Sequence, residues 1–403
     1  MRQSSPTVIT GIGCVSPVGD TEQVIWSRLV KHCNGFRVMV AGKMYGGGAR
    51  RWCAGWVPKS RIRRPPSVLT SASKSGVMAY QAVQAALQQA SLAVVPRMRS
   101  RIAVVLGTCF GSIQSVHAFD ANAQRYGNRH ASAMLFPNTV INAPAGYVGA
   151  SMKFRGPNLT VSTGLSSGFS AIGIGQELLH QGEAEVVLAG GYDELSPLLL
   201  SILDEEGFVR PAPNRSSYSL FESQRDCSMW VPGEGCAVFV LESRRRALAR
   251  RANILAQVEY VDRISSTASL AGGLADRLNC YLGTRHEVKR VGLFLGLNGS
   301  KENSRGEIEA FDRLCRFPTT VSVPKALLGE AGGANVTALA VAVWSLRRRI
   351  IPACLRLELR GSSWEYRLAE SPLKQQLGAA LVSSHDPQGE DVGILVTRWD
   401  RGH

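Results

Sequence analysis

The sequence predicts a layered α/β fold, and three observations carry that prediction. Apolar strand-like runs alternate with helical runs along the chain. Some strands, such as RIAVVLGT (101–108), are apolar at nearly every position, as in a sheet covered on both faces. The chain also repeats itself. LTVSTGLSSGFSAIGIGQELL (159–179) is echoed by TTVSVPKALLGEAGGANVTALAVAVWSL (319–346), and RIAVVLGT is echoed by RVGLFLGLN. In each member of the first pair, a strand ending Thr-Val-Ser enters a small-residue turn and then an apolar helix. The repeats predict two similar halves, 1–248 and 249–403, divided beside RRRALARRA.

Taken in order, PTVITGIGCVSPVG (6–19) reads as a buried strand followed by a Gly/Ser/Pro turn. Residues 36–66, rich in Gly and Arg, read as an irregular basic insertion. The spacing predicts an amphipathic helix over 71–93, with Ala79, Val83, Ala86 and Leu87 on one face. AEVVLAGGYDE (184–194) reads as a strand ending at a tight Gly-Gly turn. CAVFVLE (236–242) and VGLFLGLNG (291–299) supply two more strands. No linker is long enough to separate independently moving domains.

Composition narrows the function classes. Of 403 residues, 45% are hydrophobic and 19% charged, an ordinary globular balance. No apolar run has the ~18 residues of a membrane span. The start, MRQSSPTVITGIG, has no apolar signal-peptide core. Nine cysteines, odd in number and never spaced C-x-x-C, predict reduced thiols in a cytoplasmic protein and no structural metal. The net charge of +15 gathers at 49–66, 244–251 and 344–352. No nucleic-acid-binding signature accompanies it, so an acidic protein partner is the expected reader of that charge.

The chemistry centres on VSTGLSSGFSAIG (161–173). A strand passing through a small-residue turn into a helix suits a nucleophile, because the helix N-terminus favours negative charge beside it. Leu165 stands in the middle of that turn. GLSSG also matches G-x-S-x-G, which offers Ser166 as an alternative nucleophile.

In order and spacing, ITGIGCVSPVG, FPNTVINAPAGYVGASMKFRGPNLTVSTG, GEAEVVLAGGYDE, RDCSMWVPGEGCAVFVLE and VPKALLG resemble the β-ketoacyl-acyl-carrier-protein synthase family. The resemblance implies a thiolase-like, duplicated five-layer αβαβα fold and a dimer. It also implies a catalytic Cys that attacks an acyl thioester and two histidines that assist decarboxylation of a malonyl extender.

This chain departs from that set at each position. Leu165 occupies the place of the Cys. The first histidine's motif is matched by GLNGSKENSRGE, which puts Gly296 in its place and Glu307 at an acidic position downstream. The second histidine's Lys-x-x-x-Gly-His is matched with Lys325 and Gly329 retained and Glu330 in the histidine's place. In SSHDPQGED (383–391), Pro387 aligns with a residue that donates a backbone N–H to the oxyanion hole, a donor proline lacks. Lys325 and Glu330 read as a structural ion pair, and Ser166 lacks a base because both histidine positions are altered. Of the seven histidines, His385 alone lies in a loop expected near the site.

The altered set resembles the chain-length-factor class: non-catalytic homologues that pair with an active ketosynthase in type II polyketide, polyene or fatty-acid-like biosynthesis. Members often carry Gln in place of the Cys, so Leu165 is itself a departure. The resemblance implies a heterodimer with an active homologue. It also implies an acidic acyl carrier protein whose phosphopantetheine arm is the partner group, with no cofactor bound to this chain. His117, Phe119 and Phe136 are the candidate residues that end the acyl tunnel. Arg63 and Arg64, with 244–251, are the candidate carrier-docking residues. The alternatives are a stand-alone acyltransferase or cyclase using Ser166, Lys325 or Glu330, and a carrier-docking scaffold without an acyl pocket.

Overall fold

The computed structural model describes residues 5–41, 50–63, 72–209, 231–265, 276, 279–281, 283, 290–296, 319–352, 371–386 and 390–399. Among the described residues, seven strands precede residue 250: β1 (Thr7–Val15), β2 (Phe36–Ala41), β3 (Arg50–Gly55), β4 (Ile102–Gly107), β5 (Asn158–Val161), β6 (Val186–Asp193) and β7 (Gly235–Ser243). Seven follow it: β8 (Ala256–Ser265), β9 (Val291–Phe294), β10 (Thr319–Ser322), β11 (Ile350–Ile351), β12 (Leu373–Lys374), β13 (Ala379–Ser384) and β14 (Glu390–Arg398). Ten of them form one sheet in the order β10-β9-β13-β14-β8-β1-β7-β6-β4-β5.

That order is a repeat. From β1 outward, β7 and β6 are antiparallel neighbours, and β6, β4 and β5 run parallel. From β8 outward, β14 and β13 are antiparallel neighbours, and β13, β9 and β10 run parallel. The two runs meet where β1 pairs with β8. The sequence echoes therefore occupy equivalent places: β4 matches β9, and β5 matches β10. The apolar strands alternate with helices because parallel neighbours need crossovers, and both sheet faces are then covered.

Two helices lie between the sheet halves. Ser167–Gln181 packs on β4 and β6 and also reaches β8 and β14. Thr337–Arg348 packs on β9, β13 and β14 and also reaches β7. Phe169, Ile172, Leu339, Val341 and Trp344 join a single core through this layer. Helix Lys74–Gln89 covers the other face of β1, β6 and β7, with Ala79, Val83 and Ala86 fully buried and helix Ala143–Met152 beside it. A sheet face, a central helical layer and an outer helical layer are what a five-layer α/β fold requires.

Two local expectations are corrected. Part of the 36–66 insertion is regular: β2 and β3 form an antiparallel hairpin whose Trp52 is buried at 1% exposure, because the hairpin has its own apolar face to cover. Gly190 and Gly191 do not end a strand. β6 runs through both, and the backbone of Gly333 approaches so closely that a side chain at 191 has no room.

Candidate functional site

The strand β5 delivers the chain into a short 3-10 turn, Gly164–Ser166, which leads into helix Ser167–Gln181. Leu165 is 3% exposed. Its side chain joins an apolar cluster with Trp52 and Ala54 of the hairpin and with Leu195, Leu199, Leu200, Leu203 and Val209. Cys109, Phe110 and Ile113 pack against the same cluster. Leu165 is thus part of a packed core. Asp204 seals it, accepting from Trp52 Nε1 at 3.1 Å and from Arg50 at 2.8 Å.

Polar groups bracket this apolar plug. Leu165 donates its N–H to the Asp386 carboxyl, which is 7% exposed and follows β13. The Leu165 carbonyl accepts from Asn335 Nδ2 at 3.3 Å and from Ser384 Oγ at 3.4 Å. Ser166 is fully buried and donates through Oγ to Ser384 Oγ at 3.1 Å. Its hydroxyl therefore belongs to a chain of hydroxyls ending on the Leu165 carbonyl, with no general base hydrogen-bonded to it among the described residues.

Lys325 and Glu330 form a buried ion pair at 3.0 Å. Lys325 Nζ also donates to the Gly296 carbonyl at 3.2 Å, and Asn335 donates to the other Glu330 oxygen. Glu330 is further tied by its backbone to Val231 (2.8 Å) and Gly233 (2.7 Å). The ammonium is partnered rather than offered to a ligand, which is how a buried charge is tolerated. Gly296 donates its N–H to Ser383 Oγ at 2.9 Å. A Cβ at 296 would lie 2.9 Å from the Ser383 carbonyl oxygen and 3.0 Å from Ser384 Cα. The structure thus brings Leu165, Gly296, Lys325 and Glu330 into one linked network.

Three site residues escaped the sequence reading. Asp193, at the end of β6, accepts from Thr108 Oγ1 (2.6 Å) and from the N–H groups of Cys109 (2.8 Å), Phe110 (3.0 Å) and Gly333 (2.6 Å). Burial still outweighs these bonds and pushes its carboxyl up to about 6. Asn335 and Asp386 are the others. Burial raises the Cys109 thiol first, and the nearby charges of Asp193, Asp386 and Glu330 raise it further, so it is a poor nucleophile. The signal for Asp193 lay in the GGYDE end of its strand; Asn335 and Asp386 sit in quoted segments but carry no motif.

A small cleft lies beside the network, lined by Ser16, Glu234, Lys325 and Asn335 among others. Leu165, Gly296 and Glu330 do not line it. Of the tunnel candidates, His117 and Phe119 are half-buried on helix Ile113–Tyr126, and Phe136 is 58% exposed. The Phe119 and Phe136 rings touch, with centroids 5.7 Å apart. In this single chain they form a surface pair rather than an internal wall. His385 is half-buried next to Asp386.

Of the docking candidates, Arg63 is exposed and pairs with Asp20 at 3.3 Å; Arg64 lies outside the described residues, as do Glu307 and Pro387. The 244–251 cluster is largely committed elsewhere. Arg246 and Arg250 both bind the buried Glu242 of β7, and Arg244 stacks on Trp399.

The described residues contain no helix long and apolar enough to cross a membrane, and no cluster of His, Cys, Asp and Glu suited to a metal. Residues 4–247 match the family described as beta-ketoacyl synthase, N-terminal domain. A 3-oxoacyl-[acyl-carrier-protein] synthase 2 of Vibrio harveyi is 25% identical over 87% of this chain and 88% of its own length. The structure titled "The ishigamide ketosynthase/chain length factor" superposes with a TM-score of 0.80 at 18% identity, covering 98% of this chain and 100% of its own. A second, titled as a type II PKS acyl-carrier protein in complex with its ketosynthase bound to the hexaketide, gives 0.80 at 20% identity over 99% of this chain and 100% of its own.

Proposed function

We propose that this chain, which belongs to the beta-ketoacyl synthase family, is a non-catalytic, chain-length-factor-like subunit that pairs with an active ketosynthase. One observation carries the reading: Leu165, at the nucleophile's position, is buried in an apolar cluster closed over by the chain's own hairpin. A leucine side chain has no lone pair with which to attack a thioester, and this one is 3% exposed. The surrounding charge agrees. Asp193, Glu330 and Asp386 all act on Cys109, and Lys325 is already spent on Glu330. The carboxylate of a malonyl group would meet the Asp193 and Asp386 carboxyls, with Lys325 already paired to Glu330.

A partner subunit is supported by the opposite feature, an uncovered surface. Val116, Met134, Phe136, Val140, Ile141 and Leu159 are exposed apolar side chains on helix Ile113–Tyr126, the segment after it, and β5. β5 is an edge of the ten-stranded sheet. An uncovered strand edge beside exposed apolar side chains favours a protein partner. In type II polyketide, polyene or fatty-acid-like biosynthesis, that partner is a nucleophile-bearing homologue, with an acidic carrier protein presenting the acyl chain on its phosphopantetheine arm.

The test is co-expression with a neighbouring ketosynthase, followed by size exclusion and mass spectrometry. A one-to-one complex is expected, and the chain purified alone should consume no malonyl-carrier. A monodisperse homodimer that ignores the synthase, or malonyl turnover by the chain alone, overturns the reading.

A further inference from the structure

The basic cluster at 344–352 lies far from the network around Leu165. Helix Thr337–Arg348 ends in Arg347 and Arg348, and Arg349 follows it; all three are exposed. Two further exposed cations, Lys374 and Arg290, stand beside them. Lys374 lies opposite Ile350 where β11 pairs with β12, and the next residue, Gln375, donates its N–H to the Arg349 carbonyl at 2.8 Å. Arg290, just before β9, accepts through its carbonyl from the Gly378 N–H at 3.0 Å. Arg290 and Gly378 stand at the starts of the parallel strands β9 and β13, whereas Gly296 and Ser384 stand at or beyond their ends. The six residues of β13 put about 20 Å between the two groups.

This end of the molecule is short of counter-charge. Among the described residues, Arg348 alone of the five is held in an ion pair, by Glu22 at 2.7 Å, with its guanidinium over the Trp26 ring. Residues 353–370, between β11 and β12, bring three Arg and three Glu and so leave the excess unchanged. The negative end of the helix accounts for Arg347 and Arg348; Arg290, Arg349 and Lys374 lie outside that helix. We propose that this face docks on an anionic phospholipid surface, as a peripheral contact on the side of the molecule away from the network. Guanidinium groups bind phosphate through paired N–H donors, and four of the five cations are arginines. Leu373, next to Lys374, is 41% exposed. A leucine among cations gains by entering the boundary between headgroups and acyl chains, and gains nothing on the phosphates of a nucleic acid. The proposal is independent of the partner-subunit reading.

The test is flotation of the full chain with lipid vesicles at low salt. Vesicles of phosphatidylcholine with about one third phosphatidylglycerol should carry the protein, pure phosphatidylcholine should not, and binding should fade toward about 0.5 M salt. Arg349→Gln with Lys374→Gln should lower the vesicle partition coefficient about 30-fold, at about fivefold per cation. Arg97→Gln with Arg155→Gln removes the same charge from exposed residues elsewhere and should change it less than about threefold. All four positions are exposed, so each pair should keep the Tm of the unsubstituted chain. Should Arg349→Gln with Lys374→Gln lower Tm, Arg290→Gln with Arg347→Gln gives the same readout. Equal losses in the patch pair and the control pair would assign binding to net charge alone and overturn the proposal. Equal binding to both kinds of vesicle, or binding to duplex DNA or an acidic carrier protein without binding to vesicles, overturns it as well.

Discussion

On the proposed function, Leu165→Cys restores one side chain in a site whose other proposed catalytic positions are Gly296 and Glu330. The new thiol would stand in an apolar cluster, with Gly296 and Glu330 unable to stabilise an enolate. A radiolabelled malonyl-carrier assay on Leu165→Cys should therefore read as background. Adding Gly296→His should not help, because its Cβ meets the Ser383–Ser384 backbone, and the double variant should be less soluble. Asp193 gives a second expectation. Its carboxyl titrates near 6 in the folded chain and near the ordinary carboxylate value when unfolded. Since the folded value is raised, the stability this group contributes is fully present below about pH 4. It is lost as pH rises to about 6, by about 2–3 kcal/mol. Denaturant titrations of Asp193→Asn should lack that component, so the stability difference between the two proteins should change over pH 4–6 and stay flat above pH 7. The positions of Leu165, Gly296, Lys325 and Glu330 were legible because short motifs flank them. Asp386 was not, since its role is a contact across 221 residues with no local pattern.

At the scale of elements, helix Ile113–Tyr126 has no fully buried residue. Its ring pair, Phe119 with Phe136, can accordingly be altered with little damage to the fold. Phe119→Ala should cost less than the ~3–5 kcal/mol of a fully buried phenylalanine. If these residues end the acyl tunnel once a partner covers them, the co-expressed pair carrying Phe119→Ala should release a longer product by mass spectrometry. Unchanged products from folded Phe119→Ala, Phe136→Ala and His117→Ala variants would place the ruler elsewhere. The strands and main helices could be read from apolar periodicity, which reports burial directly. The hairpin β2–β3 could not, because Gly and Arg dominate its surroundings and its one fully buried aromatic, Trp52, shows only against a partner distant in sequence.

Across the whole molecule, charge and topology lead to different expectations. The basic excess is partly consumed inside the fold: Arg246 and Arg250 hold Glu242, and Arg348 holds Glu22. Arg63 keeps a side chain 67% exposed. Arg63→Glu should slow association with an acidic carrier at low salt, and the effect should fade toward 0.5 M salt in stopped-flow measurements. A slowing that ignores ionic strength would reject steering. We retain the division into 1–248 and 249–403 as a proposal; the sheet itself is continuous across it through β1 and β8. That continuity has a consequence for how the protein is made. β1 leaves the ribosome well before its neighbours: Thr10 finds Glu242 only 232 residues later, and β8 comes later still. At ~5–20 residues per second, the strand waits about 10–50 s for its neighbours. Throughout that interval β1 lacks both of its strand neighbours, β7 and β8.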